Sequence, residues 1–255
     1  MRTLFWGSDN VYSIRALKYL HTKGFKIIGC VCDNPNTEGA LMKTCRDLNI
    51  TAESAITVKE KISSGAINNI DLGFSYSYHK LIKPQEISIC NKGILNFHPS
   101  PLPEHKGIAG CCYAIYQKRK QWGVSVHYVD EGFDTGDLLE VQYFDVPDNL
   151  TGIEMYQLTQ KHMLELFYKT VMRILNGENL IALPQKGGEY YSRQRLNSDK
   201  SVQITDTVDQ INSKIEAFWF PPYHGATIEI DGETFTLVNK KILEKLSDYY
   251  DDKET

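Results

Sequence analysis

No apolar run in this chain approaches the roughly 20 residues that a membrane helix requires, although 42% of its 255 residues are hydrophobic. Its six cysteines, Cys30, Cys32, Cys45, Cys90, Cys111 and Cys112, form no Cys-x-x-Cys pair, so the usual zinc and dithiol frameworks are excluded. There is no excess of positive charge. Lys and Arg number 28 against 32 Asp and Glu, a net charge of −4, which argues against nucleic-acid binding through a broad basic face. After the first strand-like run, Gly7-Ser8-Asp9-Asn10-Val11-Tyr12 lacks the second and third glycines of a Gly-x-Gly-x-x-Gly fingerprint, so a nicotinamide oxidoreductase ranks low. Internal repeats and low-complexity tracts are absent. No leader pattern precedes the first strand-like run. The expectation is a cytoplasmic protein with neither membrane nor nucleic acid as partner, its cysteines reduced and mostly packed in the core.

What is present is an alternation of strand-like and helix-like segments. Strands are expected at Leu4-Phe5-Trp6, 26–32, 71–76, 94–97 and 123–129, with helices between them, including 40–48 and 109–120. Asp9 or Asn10 is placed to cap the first helix, and Gly24 to stop it. This rhythm implies an α/β fold with a doubly wound, mostly parallel sheet of Rossmann type. Thr151 and Glu154 form a capping box at the start of a long amphipathic helix closed by Gly177. The division expected is a catalytic core over 1–180, an extension over 181–245 and an acidic, disordered tail over 246–255. In the extension, 186–193 reads as a loop, a helix follows near 208–217, and a hairpin joins 226–230 to 234–238 across Asp231-Gly232.

Chemistry concentrates at Ile94-Leu95-Asn96-Phe97-His98-Pro99-Ser100-Pro101-Leu102-Pro103. Residues i and i+2 of a strand share a face, so Asn96 and His98 project side by side. Proline lacks the donor a central strand needs, so the pair sits where the strand ends, a common place for chemistry in an open α/β sheet. A second segment, Asp130-Glu131-Gly132-Phe133-Asp134-Thr135-Gly136-Asp137, follows the fifth strand. If the two strands are neighbours, Asp134 reaches His98, fixes its tautomer and favours its protonated form. An amide donor, a proton carrier and a carboxylate together suit acyl transfer. On residue rules alone, a histidine at a strand end and an aspartate in a Gly-rich turn are more often structural.

Both motifs resemble those of formyltransferases that use N10-formyltetrahydrofolate: Asn96-Phe97-His98-Pro99-Ser100-Pro101-Leu102-Pro103 followed by Lys106-Gly107, and Gly123-Val124-Ser125-Val126-His127-Tyr128-Val129 leading into Asp134-Thr135-Gly136-Asp137. The resemblance covers about residues 1–180 and implies a catalytic triad of Asn96, His98 and Asp134. It also implies N10-formyltetrahydrofolate as co-substrate near Phe74, Tyr76, Asp130 and Gly132, with no metal. Lys106 stands where many members have arginine and receives no contact. His105, His127 and His224 receive no catalytic role.

Within the family, Tyr190-Tyr191-Ser192-Arg193, the run 218–226 and the terminal hairpin resemble sugar-nucleotide N-formyltransferases. The acceptor implied is the amine of a dTDP-linked amino-dideoxysugar, foremost dTDP-4-amino-4,6-dideoxyglucose, made for O-antigen or another bacterial surface polysaccharide. Lys80 and Arg193 are candidates for the diphosphate, and Trp219 and Tyr223 for the base. For each, plain surface charge or packing is an equal or better reading. A dTDP-3-amino-3,6-dideoxyhexose acceptor and a formyltetrahydrofolate hydrolase using the same triad remain as alternatives. The members that formylate initiator tRNA carry a full basic C-terminal domain. The short, acidic C-terminal segment here argues against that substrate. An aromatic-rich hairpin outside the core suggests a homodimer.

Overall fold

Leu4, Phe5 and Trp6 are completely buried, and around them the computed structural model, which describes residues 1–33 and 38–251, builds its central sheet. In chain order the elements are β1 (Arg2–Gly7), α1 (Val11–Thr22), β2 (Lys26–Cys32), α2 (Ala40–Asp47), β3 (Ala52–Ser54), α3 (Ala55–Ser63), β4 (Leu72–Tyr76), α4 (Pro84–Ser88), β5 (Ile94–His98), β6 (His105–Gly107), α5 (Gly110–Tyr116), β7 (Gln121–Tyr128), β8 (Leu138–Asp145), α6 (Gly152–Leu175), β9 (Glu189–Tyr191), α7 (Arg193–Lys200), α8 (Val208–Phe218), β10 (Thr227–Ile230), β11 (Glu233–Thr236) and α9 (Lys240–Asp251). Seven strands form the main sheet in the order β3-β2-β1-β4-β5-β7-β8. The pairs β2–β3, β1–β2, β1–β4 and β4–β5 are parallel, and β5–β7 is antiparallel. This is the mostly parallel α/β sheet expected, with the antiparallel strand directly beside Asn96 and His98.

Caps explain several helix starts. The Asn10 side chain accepts from the Tyr12 and Ser13 amides and opens α1, and Asp9 accepts from Leu41 N at the start of α2. Asn10 is therefore the cap of α1, while Asp9 satisfies an amide in the first turn of α2, whose N-cap residue is Gly39. Thr151 N and Thr151 Oγ1 donate to Glu154 Oε2 at 2.7 and 2.8 Å at the head of α6. Asp231 and Gly232 both take positive φ, 51° and 82°, as a tight primed hairpin turn requires.

The chain divides into two compact units. The first comprises 1–106, 123–143 and 160–189, and the second 107–122, 144–159 and 190–255. The sequence suggests consecutive segments with boundaries at 180 and 245, whereas these units alternate along the chain. In the first unit, Phe167 of α6 packs edge-on against Phe74, Tyr76 and Phe97, on one face of the sheet. The opposite face carries Leu4, Trp6, Val31, Ile70 and Ile94 in one buried cluster. In the second unit, Val202, Ile215, Ala226 and Ile242 form the core, with Trp219, Ile228 and Leu246 against it.

Several expectations need correction. Strand β8 and the short helix α7 were not anticipated. Residues 189–191, expected in a loop, form β9. Helix α5 ends at Tyr116 rather than near 120, because Lys118 turns left-handed at φ 53° and Arg119 N closes on Ala114 O at 2.9 Å. The acidic tail is not disordered through 247–251: α9 continues to Asp251, anchored by fully buried Ile242, while 252–255 lie outside the described residues.

Candidate active site

Asn96 and His98 lie on the same face of β5 as buried Ile94, and register pairs Asn96 with His127 and His98 with Ser125 on β7. The strand ends at His98 because the Pro-rich run leaves the sheet. Ser125 Oγ donates to Ser100 O at 2.6 Å and accepts from Leu102 N at 2.9 Å, pinning that run. The chain then folds back so that the His105 carbonyl lies 2.7 Å from His98 Nε2. A carbonyl only accepts, so Nε2 carries a hydrogen and Nδ1 is the basic nitrogen of the neutral ring. His98 Nδ1 faces Asp134 Oδ1 at 3.4 Å.

Burial is the largest influence on His98 and lowers its pKa from the ordinary 6.5. The Asp134 charge and the His105 carbonyl oppose it, and His127 adds to it. The ring is therefore held neutral near pH 7, with a carboxylate placed to stabilise the imidazolium once it forms.

His127 has more to do than the sequence suggests. Its Nδ1 lies 2.7 Å from Tyr128 O, which makes Nε2 the acceptor. Nε2 takes a 3.0 Å hydrogen bond from Asn96 Nδ2 and lies 3.6 Å from Asp134 Oδ1. The second Asn96 hydrogen is held loosely, by Asp134 Oδ1 at 3.5 Å. That hydrogen is free to turn toward an oxyanion, and Asn96 is half-buried while His98 is nearly closed off. The signal in sequence was the alternation of β7, which puts His127 opposite Asn96 once the strands are paired.

Asp134 takes a left-handed backbone, φ 56°. The turn before it is organised by Asp130, whose Oδ1 accepts from Gly132 N at 3.1 Å and Thr135 Oγ1 at 2.7 Å. Asp130 and Gly132, expected at the folate, thus shape the loop that carries Asp134.

Phe74 and Tyr76 need correction. Both side chains are fully buried in the aromatic layer, and Tyr76 Oη bonds Gln160 Oε1 at 3.2 Å. They cannot touch a ligand with their rings, because alternation along β4 turns them to the face covered by α6. Lys80 is exposed in the loop after β4. In the second unit, Arg193 is exposed at the start of α7 and Tyr223 is exposed at 71%, its ring 6.1 Å from Phe220. Trp219 is half-buried on the Ile215–Ala226–Ile242 core, so packing occupies it.

A second polar cluster escaped the sequence reading. His79 Nδ1 lies 2.8 Å from Asp33 Oδ2 and 2.9 Å from Ser8 Oγ, and Ser8 Oγ also bonds Asp33 and Ser77 O. These residues follow β2, β1 and β4, at the point where strand order reverses and open α/β sheets bind ligands. The cysteines are free and buried. Burial and the nearby Glu86 charge push Cys90 up to about 12, and Cys30 and Cys112 are also well raised, mainly by thiol neighbours, so none of these three is a ready nucleophile. Among the described residues no group of three or more His, Cys, Asp or Glu is arranged to hold a metal, and no helix is long and apolar enough to cross a membrane. A cavity of about 410 Å³ in the second unit, lined by Lys118, Arg119, Lys120, Asp148 and Glu216 among others, contains none of the expected site residues.

The formyl transferase family matches residues 38–171, a span that includes Asn96, His98 and Asp134. The chain belongs to the formyl transferase family. It is 28% identical over 252 residues to the methionyl-tRNA formyltransferase of Rickettsia bellii, covering 93% of this chain and 80% of that one. It is 27% identical over 203 residues to the GDP-perosamine N-formyltransferase of Brucella melitensis, covering 80% and 77%. Its fold is that of an N-formyltransferase from Helicobacter canadensis solved with folinic acid and dTDP-3-aminofucose, at TM-score 0.72 and 22% identity over 91% of this chain and 85% of that one.

Proposed function

We propose that this enzyme transfers a formyl group from N10-formyltetrahydrofolate to the amine of a nucleotide-linked amino-dideoxysugar. The observation that carries the reaction is the Asn96–His98–Asp134 cluster at the open end of β5. The neutral amine attacks the formyl carbon. A carbon–nitrogen bond forms, the carbonyl oxygen gains negative charge, and the loosely held Asn96 hydrogen turns to it. His98 Nδ1 takes the proton from the attacking nitrogen, Asp134 stabilises the resulting imidazolium, and the proton passes to N10 of the folate as the carbon–N10 bond breaks. No covalent enzyme intermediate is needed.

The sugar class rests on the Brucella relative and on the ligands of the Helicobacter structure. We take the acceptor as dTDP-4-amino-4,6-dideoxyglucose, on the sequence resemblance, with the 3-amino sugar as its nearest competitor. The product would feed a bacterial surface polysaccharide such as O-antigen. Exposed Ile230 and Phe235 on the hairpin support a homodimer, and six free buried thiols suit a cytoplasmic setting. A second reading, formylation of methionyl-tRNA, is favoured by the Rickettsia relative and disfavoured by the net charge of −4.

The test is a panel: N10-formyltetrahydrofolate with dTDP- and GDP-linked 3-amino and 4-amino sugars and with methionyl-tRNA, each product read by mass. A formyl gain on a sugar nucleotide supports the proposal, and a gain on the tRNA alone replaces it. Formate release without either product would assign a hydrolase.

A further inference from the structure

The Asp134 backbone is left-handed, a conformation disfavoured for a residue with a Cβ unless its surroundings impose it. Part of what imposes it comes from the chain after α6. Leu183 and Leu138 exchange hydrogen bonds, Leu138 N to Leu183 O at 2.8 Å and Leu183 N to Leu138 O at 2.9 Å. This bridge sets the register of the returning segment, and Gln185, two residues on, lies against the 134–136 turn. Gln185 Nε2 donates to Asp134 O at 3.0 Å and to Gly136 O at 2.7 Å. Both acceptors are carbonyls, so the amide must present its nitrogen to them. Its Oε1 is buried without a hydrogen-bond partner among the described residues. The turn has little slack elsewhere, since a Cβ on Gly136 would lie 2.0 Å from Tyr128 O.

We infer that Gln185 is a positioning residue for formyl transfer: its amide clamps both sides of Thr135 and so holds the Asp134 carboxylate at His98 Nδ1. The inference rests on the proposed reaction for its kinetic consequence only. Its physical consequence shows in His98 itself. The groups facing His98 are Asp134, which raises its pKa together with the His105 carbonyl, and His127, which lowers it with burial. Loosening Asp134 removes an upward pull, so His98 should titrate at lower pH.

The experiment compares the full-length protein with Gln185→Met, which keeps the length and removes both donors, and Gln185→Asn, which keeps an amide that cannot reach. The His98 ring is titrated by nitrogen-15 NMR without substrates, and kcat and KM are measured across pH. Expected are a downward move of the His98 titration by about half a pH unit, the same move in the acid limb of kcat/KM, a fall in kcat of roughly ten- to a hundredfold, and a sugar-nucleotide KM changed by less than about threefold. If Gln185→Met does not fold, Gln185→Asn asks the same question. Folded variants with unchanged His98 titration and unchanged kcat would overturn the inference. If the native enzyme fails to transfer formyl groups at all, the functional reading falls, and the His98 titration still decides the role of Gln185.

Discussion

The end of β5 and the segment around Arg193, Trp219 and Tyr223 are built to different standards. At the strand end, Asn96, His98, His127 and Asp134 are drawn from two paired strands and one clamped turn, and each has a named partner between 2.7 and 3.6 Å away. In the C-terminal segment the expected ligand residues sit on short helices and loops. Arg193 and Tyr223 are open to water, and Trp219 belongs to a core. Reaction chemistry needs groups held within a fraction of an ångström. Acceptor recognition tolerates exposed side chains that order on binding. In the proposed reaction the first region carries the chemistry, and the second carries acceptor recognition only weakly.

That contrast can be broken by mutation. His98→Gln should lower kcat by about 10² to 10⁴, the usual range for a positioned acid–base group, with nucleotide binding by calorimetry unchanged. Comparable turnover would remove His98 from the chemistry. Asn96→Ala should lower kcat by roughly 10² to 10³, and tighter binding of the folate with unchanged kcat would show that the amide only shapes the site. Asp134→Asn should shift the acid limb of kcat/KM. The sign follows from the causes: the Asp134 charge raises the His98 pKa against burial, so its loss moves the limb to lower pH. A limb moving upward would mean that another group is the base. Tyr223→Ala, the smallest effect, should raise the nucleotide-sugar KM by about threefold to tenfold with kcat nearly constant. A loss of kcat as large as that of His98→Gln would erase the distinction between the regions.

The same distinction governs what could be read from sequence. The side-by-side placement of Asn96 and His98 was legible because strand alternation and a proline run are local signals, whereas their catalytic reading together with Asp134 came from the family resemblance, and the pairing of β5 with β7 brings the two motifs together. Phe74 and Tyr76 were misread because a buried strand is apolar on both faces, so sequence does not say which aromatics face a site. Strand β8 was missed for a related reason: Leu138–Asp145 is half-buried along most of its length and gives no clean alternation. Strand β3 has only three residues. Helix α9 was hidden by its acidic end, although Ile242 and Leu246, four residues apart, mark a helical stripe against a core. The Ser8–Asp33–His79 cluster joins residues from three separate loops, so only the fold could assemble it. Gln185 had no signal of its own, since its role depends on the bridge between Leu138 and Leu183.

The most direct test follows the formyl carbon. N10-formyltetrahydrofolate labelled with carbon-13 at the formyl group is mixed with the enzyme and dTDP-4-amino-4,6-dideoxyglucose, and the label is followed by NMR. The account predicts a new formamide carbon on the sugar nitrogen, formed by the native enzyme and nearly absent with His98→Gln. Label appearing only as free formate, or formed equally by both proteins, would contradict it.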